Sequence, residues 1–234
     1  MSSPASPLSL PGVKPAVDTD SLLGISKMTQ KMSELERWES RFAAPHYHFG
    51  TAPNAFLKSQ AHRLRAGQKA LALADGEGRN GVWLAEQGLD VLSLDFSPNA
   101  LKKARALAAA RGVTLRIELA DLSQWEWPIA EFDVIVAIFI QFADPPFREK
   151  IFTGMKRALK PGGLLLMQGY RPKQLDYRTG GPSQVENLYT KGLLEAAFGD
   201  FTSVEIREHD SVVDEGAGHA GMSALIDLIG RKMT

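Results

Sequence analysis

The feature that most constrains the fold is an apolar run that ends in a glycine-rich turn and continues into a helical pattern. Residues 71–74 are short and apolar enough for a buried strand, residues 75–81 form the turn, and residues 82–85 favour a helix. Such a turn leaves free backbone N–H groups at the start of a helix, where an anionic or hydrogen-bonding ligand can bind. Glycines at 76 and 78 would let the backbone approach that ligand without an intervening Cβ.

A second apolar run over residues 89–94 ends in the carboxylate of Asp95. An acid about 20 residues beyond the first glycine can accept hydrogen bonds from both ribose hydroxyls of a nucleotide. The two runs together therefore predict a site for a nucleoside-containing cofactor.

Two cofactor classes fit this turn. The pattern Gly76-x-Gly78-x-x-Gly81 matches the dinucleotide fingerprint, which is a weak signal when it stands alone. An NAD(P)-dependent oxidoreductase is therefore one alternative, and a cofactor-binding module without catalysis is another. Against the oxidoreductase, the strand–helix alternation ends in two late strands rather than in a second mononucleotide-binding half.

The sequence beyond this turn contains several motifs that resemble those of class I S-adenosylmethionine-dependent methyltransferases. The resemblance runs from about Trp38 to the C-terminus and rests on residues 75–85, 94–104, 120–122 and 159–163, in that order. It is greatest for the small bacterial branch of tellurite-resistance and thiopurine methyltransferases. It implies an α/β, three-layer Rossmann-like methyltransferase fold, whose seven-stranded, mostly parallel sheet has its last strand antiparallel.

The resemblance also implies the residues that bind S-adenosylmethionine. They lie in the segment before the first strand, in the turn, after the second and third strands and at the end of the fourth: Tyr47, Asn54, Asp75, Gly76, Gly78, Arg79, Asn80, Asp95, Phe96, Ser97, Asp121, Leu122 and Ala137. The chain departs from the family at Ala72 and Ala74, where an acid and a glycine often stand, so the methionine ammonium group would be held either by backbone carbonyls or by Asp75 in a shifted role. Tyr47 and Asn54 fit a packed N-terminal cap almost equally well.

The methyl acceptor should lie under two late polar loops, residues 171–182 and 215–219. If the sixth strand is parallel, both loops overhang the carboxyl edge of the sheet, where ligands bind. The side chains expected near the transferred methyl are Tyr170, Arg171, Tyr177, Glu215 and His219. An oxygen or nitrogen nucleophile would use His219 with Glu215 as a general base, whereas a sulfur, selenium or tellurium nucleophile would need none. A turn histidine that bonds its own backbone is the alternative for His219.

Composition excludes several other functions. The 234 residues carry no net charge and no cysteine, so we expect no nucleic-acid partner, no membrane partner and no thiolate chemistry. The pair His46-x-His48 lacks further ligands at useful spacing, so no metal site is predicted. The start lacks the order of a signal peptide. We expect a cytoplasmic monomer or weak homodimer, with a flexible tail over residues 1–31 and the methyltransferase domain over residues 32–234.

Overall fold

The computed structural model describes Met1 and residues 34–234, with the exception of Ala217. The tail predicted over residues 1–31 lies, apart from Met1, outside the described residues. Its flexibility and the domain boundary at residue 32 therefore stay predictions.

The described chain builds one seven-stranded sheet in the order β3-β2-β1-β4-β5-β7-β6. The strands are β1 (Lys69–Ala72), β2 (Asp90–Asp95), β3 (Arg116–Leu119), β4 (Phe132–Ile138), β5 (Leu159–Tyr170), β6 (Ser203–Asp214) and β7 (Ala220–Arg231). Strands β1 to β5 pair in parallel, and β7 inserts antiparallel between β5 and β6. The predicted fold class is confirmed.

Helices cover both faces of the sheet and make the predicted three layers. They are α1 (Glu34–Phe42), α2 (Ala55–Ser59), α3 (Arg79–Glu86), α4 (Pro98–Arg111), α5 (Pro145–Ala158), α6 (Gln174–Tyr177) and α7 (Lys191–Phe198), with single 3₁₀ turns at Ala61–Arg63 and Val185–Asn187. One face of the sheet packs on α5 and α7, and the opposite face packs on α2 and α3. Strands β1 and β4 are apolar almost throughout because both of their faces are buried.

Local chemistry fixes the ends of α4, the helix that follows the second strand. The Ser97 side chain caps its N-terminus by accepting from the backbone N–H of Ala100, and Pro98 occupies the first turn. Gly112 ends it with a φ of +66°. These ends keep Asp95 and Ser97 at the carboxyl edge of the sheet.

The sequence pattern predicts strands at about residues 114–120 and 163–169 and a loop over residues 171–182, and the structure differs at all three. Strand β5 begins at Leu159 rather than near residue 163, because Leu159 pairs with Phe132 before a register shift leads to the Val134–Leu164 pair. Strand β3 is limited to Arg116–Leu119 at the edge of the sheet. The predicted loop 171–182 contains the short helix α6. None of the helices in the described part of the chain is long and apolar enough to cross a membrane.

Candidate active site

The three glycines of the turn after β1 serve different purposes. Gly78 has a φ of +87°, and a Cβ there would lie 2.6 Å from the Cβ of Ala104 on α4. A Cβ at Gly81 would lie 2.4 Å from a buried carboxylate oxygen. Gly76 has a φ of +58°, and its nearest neighbour would be the ring of Phe42 at 3.5 Å. Gly78 and Gly81 are therefore required by packing inside the protein, whereas a Cβ at Gly76 would only contact the Phe42 ring at van der Waals distance.

The buried carboxylate of Asp75 stabilises this turn through hydrogen bonds. It accepts from the backbone N–H of Gly81 at 3.2 and 3.0 Å and from the Ser93 hydroxyl at 2.8 Å. Burial raises the pKa of Asp75 to about 7. Asp75 thus keeps Gly81 and the start of α3 in place, and its contact with the methionine ammonium group of a cofactor stays a prediction.

Asp95 lies at the end of β2, beside Gly76. One of its oxygens accepts from the N–H of Gly76 at 2.8 Å, and the other accepts from the N–H of Ser97 at 2.9 Å. Burial raises the pKa of Asp95 to about 6. A carboxylate has about four acceptor positions, and the backbone N–H groups of Gly76, Ser97 and Phe96 take three of them, so Asp95 retains capacity for a ribose hydroxyl. The residues present therefore fit a nucleoside cofactor.

Helix α1 packs over the same corner. Phe42 is buried against Gly76 and stacks on Trp38, with ring centroids 5.5 Å apart. Glu39 accepts hydrogen bonds from the Ser97 hydroxyl and from Asn99 Nδ2, the latter at 2.6 Å. This helix is thus the wall of the cofactor corner on the solvent side.

The segment that precedes α2 is tied to the glycine turn. The carboxylate of Glu77 accepts from the His48 backbone N–H at 2.7 Å and forms an ion pair with Lys103 at 2.7 Å. Tyr47 donates from its hydroxyl to the carbonyl of Lys103 at 3.2 Å. The cap interpretation of Tyr47 therefore has a clear structural basis, and its role towards a cofactor stays a prediction.

Asn54 connects the glycine turn with the late β6–β7 turn. Its backbone N–H donates to Asn80 Oδ1 at 2.9 Å, and its side-chain amide donates to Gln168 at 2.7 Å and to Glu215 at 3.0 Å. Glu215 also forms an ion pair with Arg79 at 2.7 Å, and both side chains are about nine-tenths buried. The predicted acceptor residue Glu215 is thus bound at the first turn of α3.

His219 lies in a pocket of aromatic rings next to this ion pair. Its ring centroid is 4.4 Å from that of Phe49, 4.3 Å from that of Phe139 and 5.9 Å from that of Tyr170. Burial lowers the pKa of His219 to about 3, and the nearby charge of Arg79 adds to this effect. Three of the five predicted acceptor residues, Tyr170, Glu215 and His219, therefore come together here.

The other two predicted acceptor residues belong to a separate cluster on β6. Arg171 and Lys173 form ion pairs with Asp210, and the Tyr177 hydroxyl donates to the same carboxylate at 2.9 Å. The hydrogen bond from Lys173 is the main reason that the pKa of Asp210 is lowered. The structure does not join Arg171 and Tyr177 to the His219 group.

The residues predicted for the adenine end stand at the same edge of the sheet. Leu122 and Ala137 are buried, whereas the exposed Asp121 accepts from the backbone N–H of Ser123 at 2.8 Å. Phe96 is half-buried between Asp95 and Ser97. Their contacts with a cofactor stay predictions.

Several polar residues that shape the site carry little signal in the amino-acid sequence. Gln141 Oε1 accepts from the Tyr170 N–H at 2.6 Å, while its amide donates to the Tyr170 carbonyl at 2.9 Å. Gln168, Glu77 and Glu39 make the contacts described above. The sequence signal that could have identified Gln141 and Gln168 as site residues is a polar side chain close to the end of an apolar strand. In the described part of the chain, no group of three His, Cys, Asp or Glu could hold a metal ion.

Comparison with known proteins agrees with this geometry. Residues 70–163 match a protein family described as methyltransferase domain. An uncharacterized methyltransferase of Synechocystis is 34% identical over 111 residues, which are 47% of this chain and 50% of that protein. The demethylmenaquinone methyltransferase of Thermus thermophilus is 35% identical over 112 residues, or 46% of this chain and 50% of that enzyme. The chain thus spans about half the length of these curated relatives.

A solved structure shares the fold over most of the chain. An S-adenosylmethionine-dependent methyltransferase from Methanosarcina mazei superposes with a TM-score of 0.62 at 17% identity, covering 78% of this chain and 99% of the other. At that identity the likeness concerns the fold alone. Residues 70–163 therefore resemble a methyltransferase domain, and the chain shares its fold with that solved structure.

Proposed function

We propose that this protein transfers a methyl group from S-adenosylmethionine to a small-molecule acceptor. One observation carries the proposal: the Glu215–Arg79 ion pair joins the glycine turn to the aromatic pocket around His219. A cofactor corner and an acceptor pocket thus meet at the carboxyl edge of the sheet, where such folds bind ligands.

The cofactor would be held by groups from four strand ends. Asp95 would accept from a ribose hydroxyl, and Gly76 would let the backbone come close to the ligand. Asp121 and the backbone N–H of Leu122 would bind the adenine, with Ala137 beneath the cofactor. Bound there, S-adenosylmethionine would supply an electrophilic methyl group on a sulfonium, whose carbon–sulfur bond breaks with the electron pair staying on sulfur.

The protein's own part in the reaction is alignment and exclusion of water. Phe49, Phe139 and Tyr170 make an apolar wall, and alignment of the reacting atoms supplies much of the rate enhancement in such displacements. His219 is neutral at pH 7 because burial lowers its pKa to about 3, so it accepts a hydrogen bond but takes up a proton poorly. We therefore assign His219 to positioning, and the proton that the acceptor loses goes to solvent.

We further propose that the acceptor is a small molecule handled in the cytoplasm by a monomer or weak homodimer. The burial of Tyr170 and His219 supports the small size of the acceptor, and the cytoplasmic location and oligomeric state rest on the sequence alone. The finer relation to the tellurite-resistance and thiopurine branch rests on the order of motifs in the sequence. The acceptor of the Thermus relative, which its name gives as demethylmenaquinone, is a property of that enzyme.

Calorimetry tests the cofactor assignment. We expect binding of S-adenosylmethionine and S-adenosylhomocysteine, and no binding of NAD or NADH. Asp95→Ala and Asp95→Asn should both weaken the binding of S-adenosylmethionine, because each hydrogen bond to a charged group contributes about 1.5–3 kcal/mol. Asp90→Ala, at the exposed opposite end of β2, is the matched control and should leave the affinity unchanged.

Two results would contradict the proposal. Wild-type affinity in a folded Asp95→Asn protein would remove the ribose assignment, and NAD binding would favour the oxidoreductase alternative. Tight cofactor binding without transfer to any acceptor in a broad screen would favour the non-catalytic module.

A further inference from the structure

A cavity lies on the face of the sheet next to α2. Its volume is about 690 Å³, within the range of about 300–1,000 Å³ that small-molecule sites occupy. The outer strands β6 and β7 and the end of β5 form one side of it, and α2 with the following 3₁₀ turn forms the other. Among the described residues, none of those predicted for the cofactor lines this cavity, and Glu215 is the one predicted acceptor residue that does.

A serine, a histidine and an aspartate that line this cavity are joined by hydrogen bonds. The Ser211 hydroxyl lies 2.8 Å from His209 Nδ1, and Asp227 Oδ2 lies 3.0 Å from the other ring nitrogen, His209 Nε2. His209 and Ser211 project from the same face of β6 because side chains alternate along a strand, and β7 brings Asp227 beside them. Nucleophilic catalysis uses this arrangement, in which a base lies within hydrogen-bond reach of the nucleophile and a third group orients the base.

Asp227 fixes which nitrogen of His209 carries the proton. Its carboxylate is buried and accepts a hydrogen bond at 2.6 Å from the amide of Gln168, which is itself 3% exposed. A carboxylate only accepts, so in the neutral imidazole Nε2 carries the proton and Nδ1 presents its lone pair to the Ser211 hydroxyl. Ser211 is therefore the donor in this pair, and His209 is the group that can take its proton.

The rest of the lining suits an acyl chain. Phe56, Leu225 and Ile229 contribute apolar side chains to the same cavity. The His209 side chain is 19% exposed, and β6 is the outermost strand of the sheet, so the cavity is open to solvent at this edge. An ester of a short fatty acid combines an apolar chain with a carbonyl carbon that a serine can attack, and both match this lining.

We propose that Ser211, His209 and Asp227 form a second catalytic site, separate from the proposed methyl transfer, which hydrolyses small carboxylic esters. Ser211 Oγ forms a bond to the carbonyl carbon while its proton passes to His209 Nδ1. The bond to the alcohol oxygen then breaks, and that oxygen keeps the electron pair and takes up the proton. Water next attacks the acyl-serine, His209 takes a proton from it and returns one to Ser211 Oγ, and the carboxylic acid leaves. Ser211 and His209 are the catalytic residues, and Asp227 is a positioning residue.

An alkyl fluorophosphonate, which phosphonylates activated serines with loss of fluoride, tests the site on the full chain. Mass spectrometry should find one label per chain, on Ser211, and the label should abolish hydrolysis of p-nitrophenyl butyrate. His209→Gln should slow labelling by about 10²–10⁴-fold, the usual contribution of a general base. Ser59→Ala removes another hydroxyl that lines the cavity, and as the matched control it should label at the wild-type rate.

Asp227→Asn separates positioning from a structural role. An amide can donate to His209 Nε2, which moves the ring proton to Nδ1 and leaves no lone pair for the Ser211 hydroxyl. The maximal rate of labelling should therefore fall, whereas the probe concentration that gives half of that rate should stay the same. A change in that concentration with an unchanged maximal rate would overturn the positioning role.

The wild-type chain alone can overturn the inference. No label, or a label on serines other than Ser211, would contradict the second site even if a variant fails to fold. An equal labelling rate in folded His209→Gln and wild type would likewise contradict it, because Ser211 would then react without its base.

Discussion

Ala74, the last residue before the glycine turn, has a backbone conformation that suits glycine better. Its φ is +45°, in the left-handed region that costs a residue with a Cβ about 1–2 kcal/mol. The resemblance to class I methyltransferases implies a glycine at this position, and the sequence departs from that pattern here. The turn keeps its shape, so the surrounding contacts offset the strain.

Replacing Ala74 by glycine should therefore stabilise the protein. We expect Ala74→Gly to raise the free energy of unfolding by about 0.5–1 kcal/mol, because relief of strain exceeds the added chain entropy of glycine. Urea unfolding measures the change. The control is Ala72→Gly inside strand β1, which should lower stability, since that residue is buried and its φ is not positive. A loss of stability in Ala74→Gly would show that φ at this position is not strained.

His219 should make the stability of the protein depend on pH. Its pKa is about 3 in the folded chain, below its ordinary value of 6.5, with Arg79 and His48 as the nearby groups that add to the effect of burial. The unfolded chain therefore takes up a proton at His219 that the folded chain refuses as the pH falls from 6.5 towards 3. Stability present above pH 6.5 is lost across this range, by about 2 kcal/mol at pH 5.

Urea unfolding at pH 5 and pH 7 checks this contribution. The difference in unfolding free energy between the two pH values should be smaller in His219→Gln than in wild type by about 2 kcal/mol. His62→Gln removes an exposed histidine and should leave the difference unchanged. The same low pKa predicts that the pH–rate profile of methyl transfer has no inflection near pH 6.5 from His219. An inflection near pH 6.5 that disappears in His219→Gln would instead show that His219 acts as a general base.

At the scale of elements, the β6–β7 turn and the segment before α2 interlock. A Cβ on Gly216 would lie 2.6 Å from the backbone nitrogen of Gly50, and one on Gly218 would lie 2.4 Å from the ring of Phe49. The Gly218 N–H donates to the His48 carbonyl at 3.1 Å. Two elements far apart in sequence thus close the acceptor pocket as one unit.

Gly216→Ala tests this interlock. Gly112, at the end of α4, has a similar φ of +66° but no atom within 4 Å of an added Cβ, so Gly112→Ala measures backbone strain alone. We expect about 1 kcal/mol of destabilisation in Gly112→Ala and at least about 1 kcal/mol more in Gly216→Ala, which adds a steric clash. Only Gly216→Ala should also lower the affinity for S-adenosylmethionine measured by calorimetry, because it displaces Glu215 from Arg79. Equal losses in the two variants would mean that the interlock is loose.

At the scale of the whole molecule, the sequence predicts that residues 1–31 are dispensable. A chain that starts at Met32 should keep the Tm and the cofactor affinity of the full chain, because the first 31 residues lack apolar periodicity. Thermal melts and calorimetry of both chains measure this. A fall of several degrees in the shorter chain would show that the segment packs on the domain.

The sequence alone determined the architecture of this protein. Apolar runs, the glycine turn and the serine–proline cap at the start of α4 are local signals, because the geometry of a strand or a helix end depends on neighbouring residues. For that reason the order of strands and helices followed from the sequence, and the resemblance to class I methyltransferases implied the antiparallel seventh strand. The hydrogen bond between Gly76 and Asp95 came from the structure. The start of β5 was misjudged by a few residues, since the pairing of Leu159 with Phe132 is a tertiary event.

Tertiary structure alone decided how the acceptor pocket is built. Asn54 and Glu215 are 161 residues apart, and no local pattern indicates that they share a hydrogen bond. The sequence grouped five residues by their loops, yet the structure placed Tyr170, Glu215 and His219 together and bound Arg171 and Tyr177 to Asp210. The pKa of His219 likewise depends on burial among rings from three distant segments. Charge state and partnership in a buried site are set by what surrounds a side chain, and only the folded chain fixes those surroundings.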